Sequence, residues 1–239
     1  MSPRRELARK ATAEALGTAF LVAVVVGSGI MAQRLSPNET GLQLLENSTA
    51  TGAGLVALIL AFGPVSGAHF NPVVTLADRL LGGVNNLEAA VYVLAQVIGA
   101  CIGCIVANIM FSLAAVNVST HTRSGAGLWL GEVVATMGLI LVILGVVRSD
   151  RAHYAPFAVG AYIAAAYWFT SSTSFANPAV TIARTLSNTF AGIAPSSVPA
   201  FVVAQIGGAL LAVGLALVLF PHLPADAVVV AHHEAGADQ

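Results

Sequence analysis

A fifteen-residue stretch occurs twice in this chain and carries the residues best suited to contact a solute. The first copy covers residues 66–80 and the second covers residues 172–186, and both contain the pattern Asn-Pro-x-Val-Thr. Asparagine is a strong helix N-cap and proline suits the first helical position, so each copy predicts a helix start. The side-chain amide of each asparagine can also donate hydrogen bonds to a solute. The residues at the two starts are Asn71, Pro72, Val73, Asn177, Pro178 and Ala179.

The composition indicates a membrane protein. Of the 239 residues, 57% are apolar and only 9% are charged, whereas soluble domains carry about 25% charged residues. The net charge of −1 gives no indication of a nucleic-acid partner, and none is expected. The two cysteines, Cys101 and Cys104, lie in an apolar stretch, which excludes a disulfide framework. We interpret them as small buried thiols rather than a metal clip.

Six segments approach the length of about 20 apolar residues that a membrane-spanning helix needs. Gly63 and Pro64 predict a bend between the second segment and the short helix that begins near Asn71. Residues 1–10 are predicted to be a cytoplasmic segment, residues 11–220 a single domain and residues 221–239 a flexible cytoplasmic tail. The predicted spans cover residues 11–33, 48–65, 88–116, 128–147, 154–170 and 198–220.

The repeat extends beyond the fifteen residues. Glu14 in the first span matches Glu132 in the fourth, and Gln96 in the third span matches Gln205 in the sixth. The chain therefore divides into halves at about 11–116 and 128–220, each with three spans and one half-helix. An odd number of spans per half means that the second half is inverted in the membrane. The predicted fold is an all-α membrane protein with six transmembrane helices and two re-entrant half-helices.

The basic residues predict the orientation. With both termini in the cytoplasm, that side receives seven basic residues and the other side receives three, as the positive-inside rule requires. The cytoplasmic set is Arg4, Arg5, Arg9, Lys10, Arg79, Arg148 and Arg151, and the outer set is Arg34, Arg123 and Arg184.

The segments before Asn71 and Asn177 predict a passive pore. Non-helical backbone at membrane depth is tolerated where it lines a watery path, and inverted symmetry brings both half-helix starts to the midplane. Their positive dipole ends repel cations and leave a path for neutral solutes. The alternative is a secondary active transporter, but only His69 is titratable near the breaks. Because no nucleophile–base set or phosphate loop occurs, we expect no enzyme, and we expect no cofactor or metal.

These residues resemble the aquaporin/glycerol-facilitator (major intrinsic protein) superfamily in bacteria. The resemblance rests on the paired motifs, six spans, the sequence Ser-Gly-Ala-His ending at His69, and a glutamate in spans one and four. It implies a homotetramer in the plasma membrane, with one pore per subunit for water and small uncharged solutes. It also implies that Glu14 and Glu132 are buried acceptors for the re-entrant backbone, and that His69 lines the cytoplasmic approach. Gln96 and Gln205 either line the pore or bond between helices.

Two departures from the family pattern stand out. Val73 replaces an alanine, which we expect to be mild because this residue packs the half-helices together. Val180 stands where the family usually has arginine, at the narrow outer filter. This predicts a wider, less polar, uncharged constriction and a weaker barrier to ions. Arg184, one helical turn further on, is predicted to reach water at the half-helix end rather than to turn back into the pore.

The remaining filter positions follow from the family pattern. Counting back from the two motifs indicates Thr51 and Ser174, and Thr181 occupies a position where glycerol facilitators have aspartate. For the fifth span the count gives Ala165, whereas alignment on Pro156 and Gly160 gives Tyr167, which we prefer because loops absorb length changes. The predicted filter of Thr51, Tyr167, Ser174 and Val180 suits glycerol and undissociated metalloid acids such as arsenite. A fainter resemblance is to an arginine-less, arsenic-associated bacterial branch.

Overall fold

The computed structural model describes residues 2–220, so the predicted tail at 221–239 lies outside the described residues. Within that range the chain is helical and three short 3-10 turns link its helices, at Ala152–Tyr154, Arg184–Leu186 and Pro195–Ser197. The α-helices are α1 (Pro3–Leu35), α2 (Thr40–Ser66), α3 (Pro72–Leu81), α4 (Asn86–Met110), α5 (Ala126–Arg148), α6 (Ala155–Phe169), α7 (Pro178–Ala183) and α8 (Val198–Leu219).

Five of these helices, α1, α2, α4, α5 and α8, are long and apolar enough to cross a membrane. The predicted fifth span is the shorter helix α6, whose 15 residues extend about 22 Å at 1.5 Å per residue. A 3-10 turn at Ala152–Tyr154 lengthens it at its N-terminal end. The prediction of an all-α membrane protein is confirmed, with one span shorter than the others.

The packing repeats between the two halves. The helices α1 and α4 make the most extensive contacts of the first half, and α5 and α8 do so in the second. The helix α2 packs against α6 across the junction of the halves, and each is followed by a short helix, α3 or α7. The order of elements is therefore the same in both halves, which is the arrangement that an internal repeat requires.

Small residues let the paired helices approach closely. A Cβ atom added at Gly99 or Gly103 would overlap the backbone of Ala15 or Ala19 on α1. On α8, a Cβ at Gly208 would lie 2.5 Å from the carbonyl oxygen of Val133. Helix pairs in membranes depend on such contacts, because lipid supplies no hydrophobic driving force between helices. The adjacent Gly207 has no neighbour within 4 Å of a built Cβ.

Three boundaries differ from the sequence prediction. The helix α2 begins at Thr40, eight residues before the predicted start at 48. It ends at Ser66, one residue past the predicted end, and Gly67, whose φ of +86° suits glycine, makes the predicted bend before Asn71. Pro64 lies in the last turn of α2, where it removes one backbone N–H without ending the helix. The predicted segment 1–10 is helical from Pro3, and α4 ends at Met110, six residues early. Residues 111–125 then cross to the segment after α7, where Asn117 pairs with Ser187.

The two cysteines are free thiols, Cys104 buried in the core and Cys101 half-buried. Within residues 2–220, no three histidine, cysteine, aspartate or glutamate side chains group closely enough to hold a metal ion.

Candidate functional site: a pore between two re-entrant loops

The two segments that precede the half-helices adopt the same unusual backbone. Four non-glycine residues in them have φ between +47° and +50°, at positions related by the repeat offset of 106. This left-handed conformation costs roughly 1–2 kcal/mol for each L-residue with a side chain. Surrounding structure must therefore hold both loops in place. The four residues are Ala68, Phe70, Ser174 and Ala176.

Glu14 holds the first loop. Its carboxylate is fully buried and accepts four hydrogen bonds, two of them from backbone N–H groups of the loop. Buried carboxylates are stable only when their oxygens are satisfied in this way. The donors are Ser66 Oγ at 2.6 Å, His69 N at 3.0 Å, Phe70 N at 2.7 Å and Gln96 Nε2 at 2.7 Å.

Glu132 holds the second loop by the equivalent contacts. Phe175 N and Ala176 N each donate at 2.9 Å to one of its oxygens, and Gln205 Nε2 donates at 2.6 Å. Gln205 also donates to Thr181 Oγ1 on α7 at 2.9 Å, just as Gln96 donates to Thr75 on α3. The two glutamines therefore bond between helices behind the loops.

Each asparagine caps its own half-helix. Asn71 Oδ1 accepts from Val73 N at 3.1 Å, and Asn177 Oδ1 accepts from Ala179 N at 3.0 Å and Val180 N at 3.2 Å. In both cases proline occupies the first helical position, where its missing N–H removes no helical hydrogen bond.

The same two asparagines tie the halves together. Asn71 Nδ2 donates to the Ala176 carbonyl at 2.8 Å, and Asn177 Nδ2 donates to the Phe70 carbonyl at 2.8 Å. Each bond joins one half-helix to the opposite loop. Because a side-chain amide has two N–H groups, one on each asparagine serves this cross-link and the other makes no hydrogen bond within residues 2–220. Both asparagines line the cavity described next.

A narrow cavity of about 70 Å³ runs between the loops and the surrounding helices. At 10–15 Å³ of such space per water, it holds roughly five to seven water molecules. Its lining residues fall into two groups, the residues of the two loops and aliphatic side chains from five helices, which we call the loop wall and the aliphatic wall. The cavity is therefore amphipathic along its length. The aliphatic wall consists of Leu21, Val25, Leu55, Ile59, Val74, Leu139, Ile143, Val159 and Ile163.

The four predicted filter residues line this cavity together and are all buried. Thr51 Oγ1 and Tyr167 OH lie 3.3 Å apart, whereas Ala165 is exposed on the outer surface of α6. Val180 presents an apolar side chain, and the hydroxyl of Ser174 has no hydrogen-bond partner in residues 2–220. We call this part of the cavity, with Arg184, the filter end. Filtering by these residues stays a prediction.

Arg184 was predicted to reach water, and this is wrong. The helix α7 ends at Ala183, and the 3-10 turn at Arg184–Leu186 changes the chain direction. Arg184 is only 3% exposed and lines the cavity. Its guanidinium carbon lies 3.5 Å from the centroid of the Phe175 ring, and its Nε donates to the Ala191 carbonyl. The filter end is therefore charged, although Val180 is not.

A second arginine supports the same ring. Arg123, in the segment between α4 and α5, places its guanidinium carbon 5.2 Å from the Phe175 centroid. Its Nε donates to the Gly192 carbonyl at 2.9 Å and its Nη2 to the Phe190 carbonyl at 3.3 Å. Burial lowers the pKa of this guanidinium, yet arginine keeps its charge in proteins. The sequence predicted Arg123 only as one of the outer basic residues, without a role at the pore.

His69 lines the cavity away from the filter end. Its Nδ1 lies 3.0 Å from Thr75 Oγ1, and its Nε2 lies 3.6 Å from the Asp78 carboxylate. The ring also contacts Tyr92 edge-on, with centroids 5.3 Å apart. Contacts on several sides fix the orientation of the ring. Its place on the cytoplasmic approach stays a prediction.

Comparison with known proteins identifies a family. Residues 1–175 match the family described as major intrinsic protein. Aquaglyceroporin AqpS of Rhizobium meliloti (strain 1021) is 50% identical over 210 residues, which cover 88% of this chain and 89% of that protein. Human aquaporin-1 is 31% identical over 171 residues, which cover 65% of this chain and 62% of that protein.

The fold has a solved counterpart. The X-ray structure of the aquaglyceroporin from Plasmodium falciparum superposes with a TM-score of 0.70 at 22% identity, covering 90% of this chain and 98% of that one. The family consists of channels, which excludes an enzyme and decides between the passive pore and the ion-coupled transporter. Two half-helices, each beginning with Asn-Pro, meet at one narrow cavity. The chain belongs to the major intrinsic protein family and forms a passive membrane channel for water and small solutes.

Proposed function

We propose that the channel passes neutral polyhydroxylated solutes, namely glycerol and undissociated metalloid acids such as arsenite, in addition to water. The observation that carries this proposal is the position of Val180 at the filter end, beside three hydroxyl-bearing side chains. A relative 50% identical over most of the chain is described as an aquaglyceroporin, which also favours glycerol.

The amphipathic cavity supports the same solute class. A polyol has carbon on one side and hydroxyl groups on the other, so it can face the aliphatic wall and the polar loop wall at once. The spare N–H groups of Asn71 and Asn177 can donate to its oxygens midway. An undissociated metalloid acid presents hydroxyl groups in a similar volume. A fixed polar wall replaces the hydration shell of such a solute and lowers the cost of entry.

We assign the filter to Thr51, Tyr167, Ser174 and Val180. The hydroxyl groups of the first three can bond with a passing solute, and the valine makes one side of the constriction apolar. Polar groups that bond with substrate hydroxyls select for solutes that carry them. This filter therefore favours polyols over purely apolar molecules of similar size.

Replacing Val180 with arginine is expected to lower glycerol entry into proteoliposomes at least about tenfold, a barrier increase of about 1.4 kcal/mol. The longer side chain narrows the constriction and adds a second guanidinium beside Arg184. Water entry is expected to fall less, because water is smaller. Stopped-flow light scattering measures both rates.

Val180→Ile is the matched control, since it keeps the position apolar and adds a single methylene. It is expected to retain most glycerol entry. Arsenite is tested in the same liposomes by measuring the arsenic taken up. A wild-type protein that passes water but neither glycerol nor arsenite would refute the proposed solute class.

We further propose a homotetramer in a bacterial plasma membrane, with one pore per chain. Large apolar side chains are exposed on the outward faces of the spanning helices, among them Leu94, Val203 and Val218. Such surfaces suit contact with lipid or with neighbouring subunits. Light scattering of the detergent-solubilised protein tests the assembly, and a protein mass equal to one chain would contradict it.

We also propose that both termini face the cytoplasm. Arg184 lines the pore, so it no longer counts among the basic residues of the outer side. The cytoplasmic side then has seven basic residues and the outer side has two. The positive-inside rule favours that arrangement. A reporter cysteine at Ser2, in a protein that also carries Cys101→Ala and Cys104→Ala, tests it in intact cells, where labelling by a membrane-impermeant reagent would reverse the assignment.

A further inference from the structure

The guanidinium of Arg184 at the filter end is held in place by the protein but makes no ion pair with a carboxylate in residues 2–220. Arg184 stacks on Phe175 and is anchored by Nε, yet neither of its Nη atoms donates to any residue in the described range 2–220. No carboxylate pairs with it or lines the cavity in that range. A buried charge without a partner is costly, so the Nη groups must take hydrogen-bond acceptors from the cavity, either water or a ligand that carries negative charge.

The segment after α7 is shaped to hold this charge in place. Carbonyl groups of three consecutive residues, 190–192, accept hydrogen bonds from Arg123 and Arg184. A Cβ at Gly192 would overlap Ser119 Oγ and the carbonyl of Ser187, so the segment fits closely only with glycine there. The Nε bond and the ring stacking leave the Nη side of the Arg184 guanidinium available to the cavity.

A second polar group at the same place also lacks a partner. Ser174 is 3% exposed and lines the cavity, and its Oγ has no hydrogen-bond partner in the described chain. It immediately precedes Phe175, the residue on which Arg184 stacks. Buried hydroxyl groups are nearly always hydrogen-bonded, so this one is available to the contents of the cavity, independently of Arg184.

We propose that Arg184 and Ser174 form a binding subsite for the monoanion of a small oxyacid at the filter end, with Arg123 adding a second positive charge. Guanidinium N–H groups and a hydroxyl donor match the oxygens of such an anion. The low polarity of the aliphatic wall strengthens the attraction relative to water. This inference goes beyond the proposed passage of neutral solutes, because it gives the pore a charged ligand.

The same charge reverses one expectation from the sequence. An uncharged constriction at Val180 predicted a weak barrier to ions, but the positive potential of Arg184 and Arg123 repels cations from the filter end. A small oxyanion is attracted there and occupies a space through which other solutes must pass. Bound oxyanion should therefore slow the entry of neutral solutes.

Methylphosphonate tests the subsite, at a pH where it carries one negative charge. It is no larger than glycerol, and it is supplied on both sides of proteoliposomes so that protein orientation does not matter. Glycerol entry is measured by stopped-flow light scattering, with sucrose matching the osmolarity. We expect methylphosphonate to slow entry through the wild-type channel in a concentration-dependent way.

The variants locate the effect. Arg184→Gln is expected to raise the concentration needed for half-inhibition at least about tenfold, because the charged hydrogen bonds are lost. Arg34→Gln is the matched control, since Arg34 also stacks on a phenylalanine, Phe111, but is exposed and outside the cavity. Its half-inhibition should equal that of the wild type.

If Arg184→Gln fails to fold, Ser174→Ala still tests the subsite. The serine hydroxyl makes no hydrogen bond within residues 2–220, so its removal should leave the fold intact. It is expected to weaken inhibition severalfold. Wild-type entry unaffected by methylphosphonate, or inhibition equal in the wild type and in every folded variant, would overturn the subsite. If glycerol itself does not enter, the proposed solute class fails, and inhibition is then measured on water entry instead.

Discussion

Replacing Glu132 with alanine is expected to abolish the folded channel. The change removes the acceptor for two backbone N–H groups of the second loop and for the Gln205 amide. Each buried donor left unsatisfied costs about 1–3 kcal/mol, so three cost roughly 3–9 kcal/mol. That range is comparable to the roughly 5–15 kcal/mol that stabilises a typical domain. Thermal unfolding of the detergent-solubilised protein and water entry into proteoliposomes measure the loss.

Because the repeat is symmetric, Glu14→Ala is expected to cause a similar loss. Glu132→Gln keeps one acceptor oxygen and should cost less than Glu132→Ala. Glu39→Ala is the control. Glu39 is exposed, and its side chain makes no capping hydrogen bond at the start of α2, so thermal stability and water entry should stay unchanged. A Glu132→Ala channel with wild-type stability and water entry would show that the carboxylate does not hold the loop.

Gly103→Ala is expected to separate α1 from α4 and to destabilise the protein by up to about 2 kcal/mol. An added Cβ would overlap the Ala19 backbone, and helix backbone cannot yield as a flexible side chain can. Overpacking of this kind typically costs about 1–3 kcal/mol. Alanine favours a helix over glycine by about 1 kcal/mol, which offsets part of the loss. The midpoint of thermal unfolding in detergent measures the net effect.

Gly207→Ala is the matched control for this substitution. The residue lies within α8, gains the same helix propensity and has no neighbour within 4 Å of the added Cβ. Its unfolding midpoint should equal or exceed that of the wild type. Equal midpoints for the two variants would mean that helix propensity, and not the contact with α1, governs the effect of these glycines.

The sequence alone does not show which glycines of the spanning helices make close contacts. Gly99, Gly103, Gly207 and Gly208 look alike in sequence, as small residues in apolar helices. Whether a glycine touches another backbone depends on which face of its helix meets a neighbour. Three of the four do, and Gly207 does not. A small residue in a spanning helix indicates a close helix contact, but within the described part of the chain Gly207 makes none.

The repeat allowed the sequence to determine the architecture. Two copies of Asn-Pro with matching glutamates and glutamines predicted two halves, each with a re-entrant loop, because local capping chemistry and apolar length act within short stretches of chain. The structure has that order of elements, and family membership confirms the passive channel. Glu14 and Glu132 are the buried acceptors for the loops that the family resemblance implied.

Tertiary structure decided the character of the filter end. Val180 indicated an uncharged constriction, but α7 ends early, and the Ala191 carbonyl and the Phe175 ring hold Arg184 in the cavity wall. The direction of a long side chain depends on where its helix stops and on partners distant in sequence. Asn71 and Asn177 likewise cap their own helices, as local sequence predicts, while their bonds to the opposite loops exist only because the halves fold face to face.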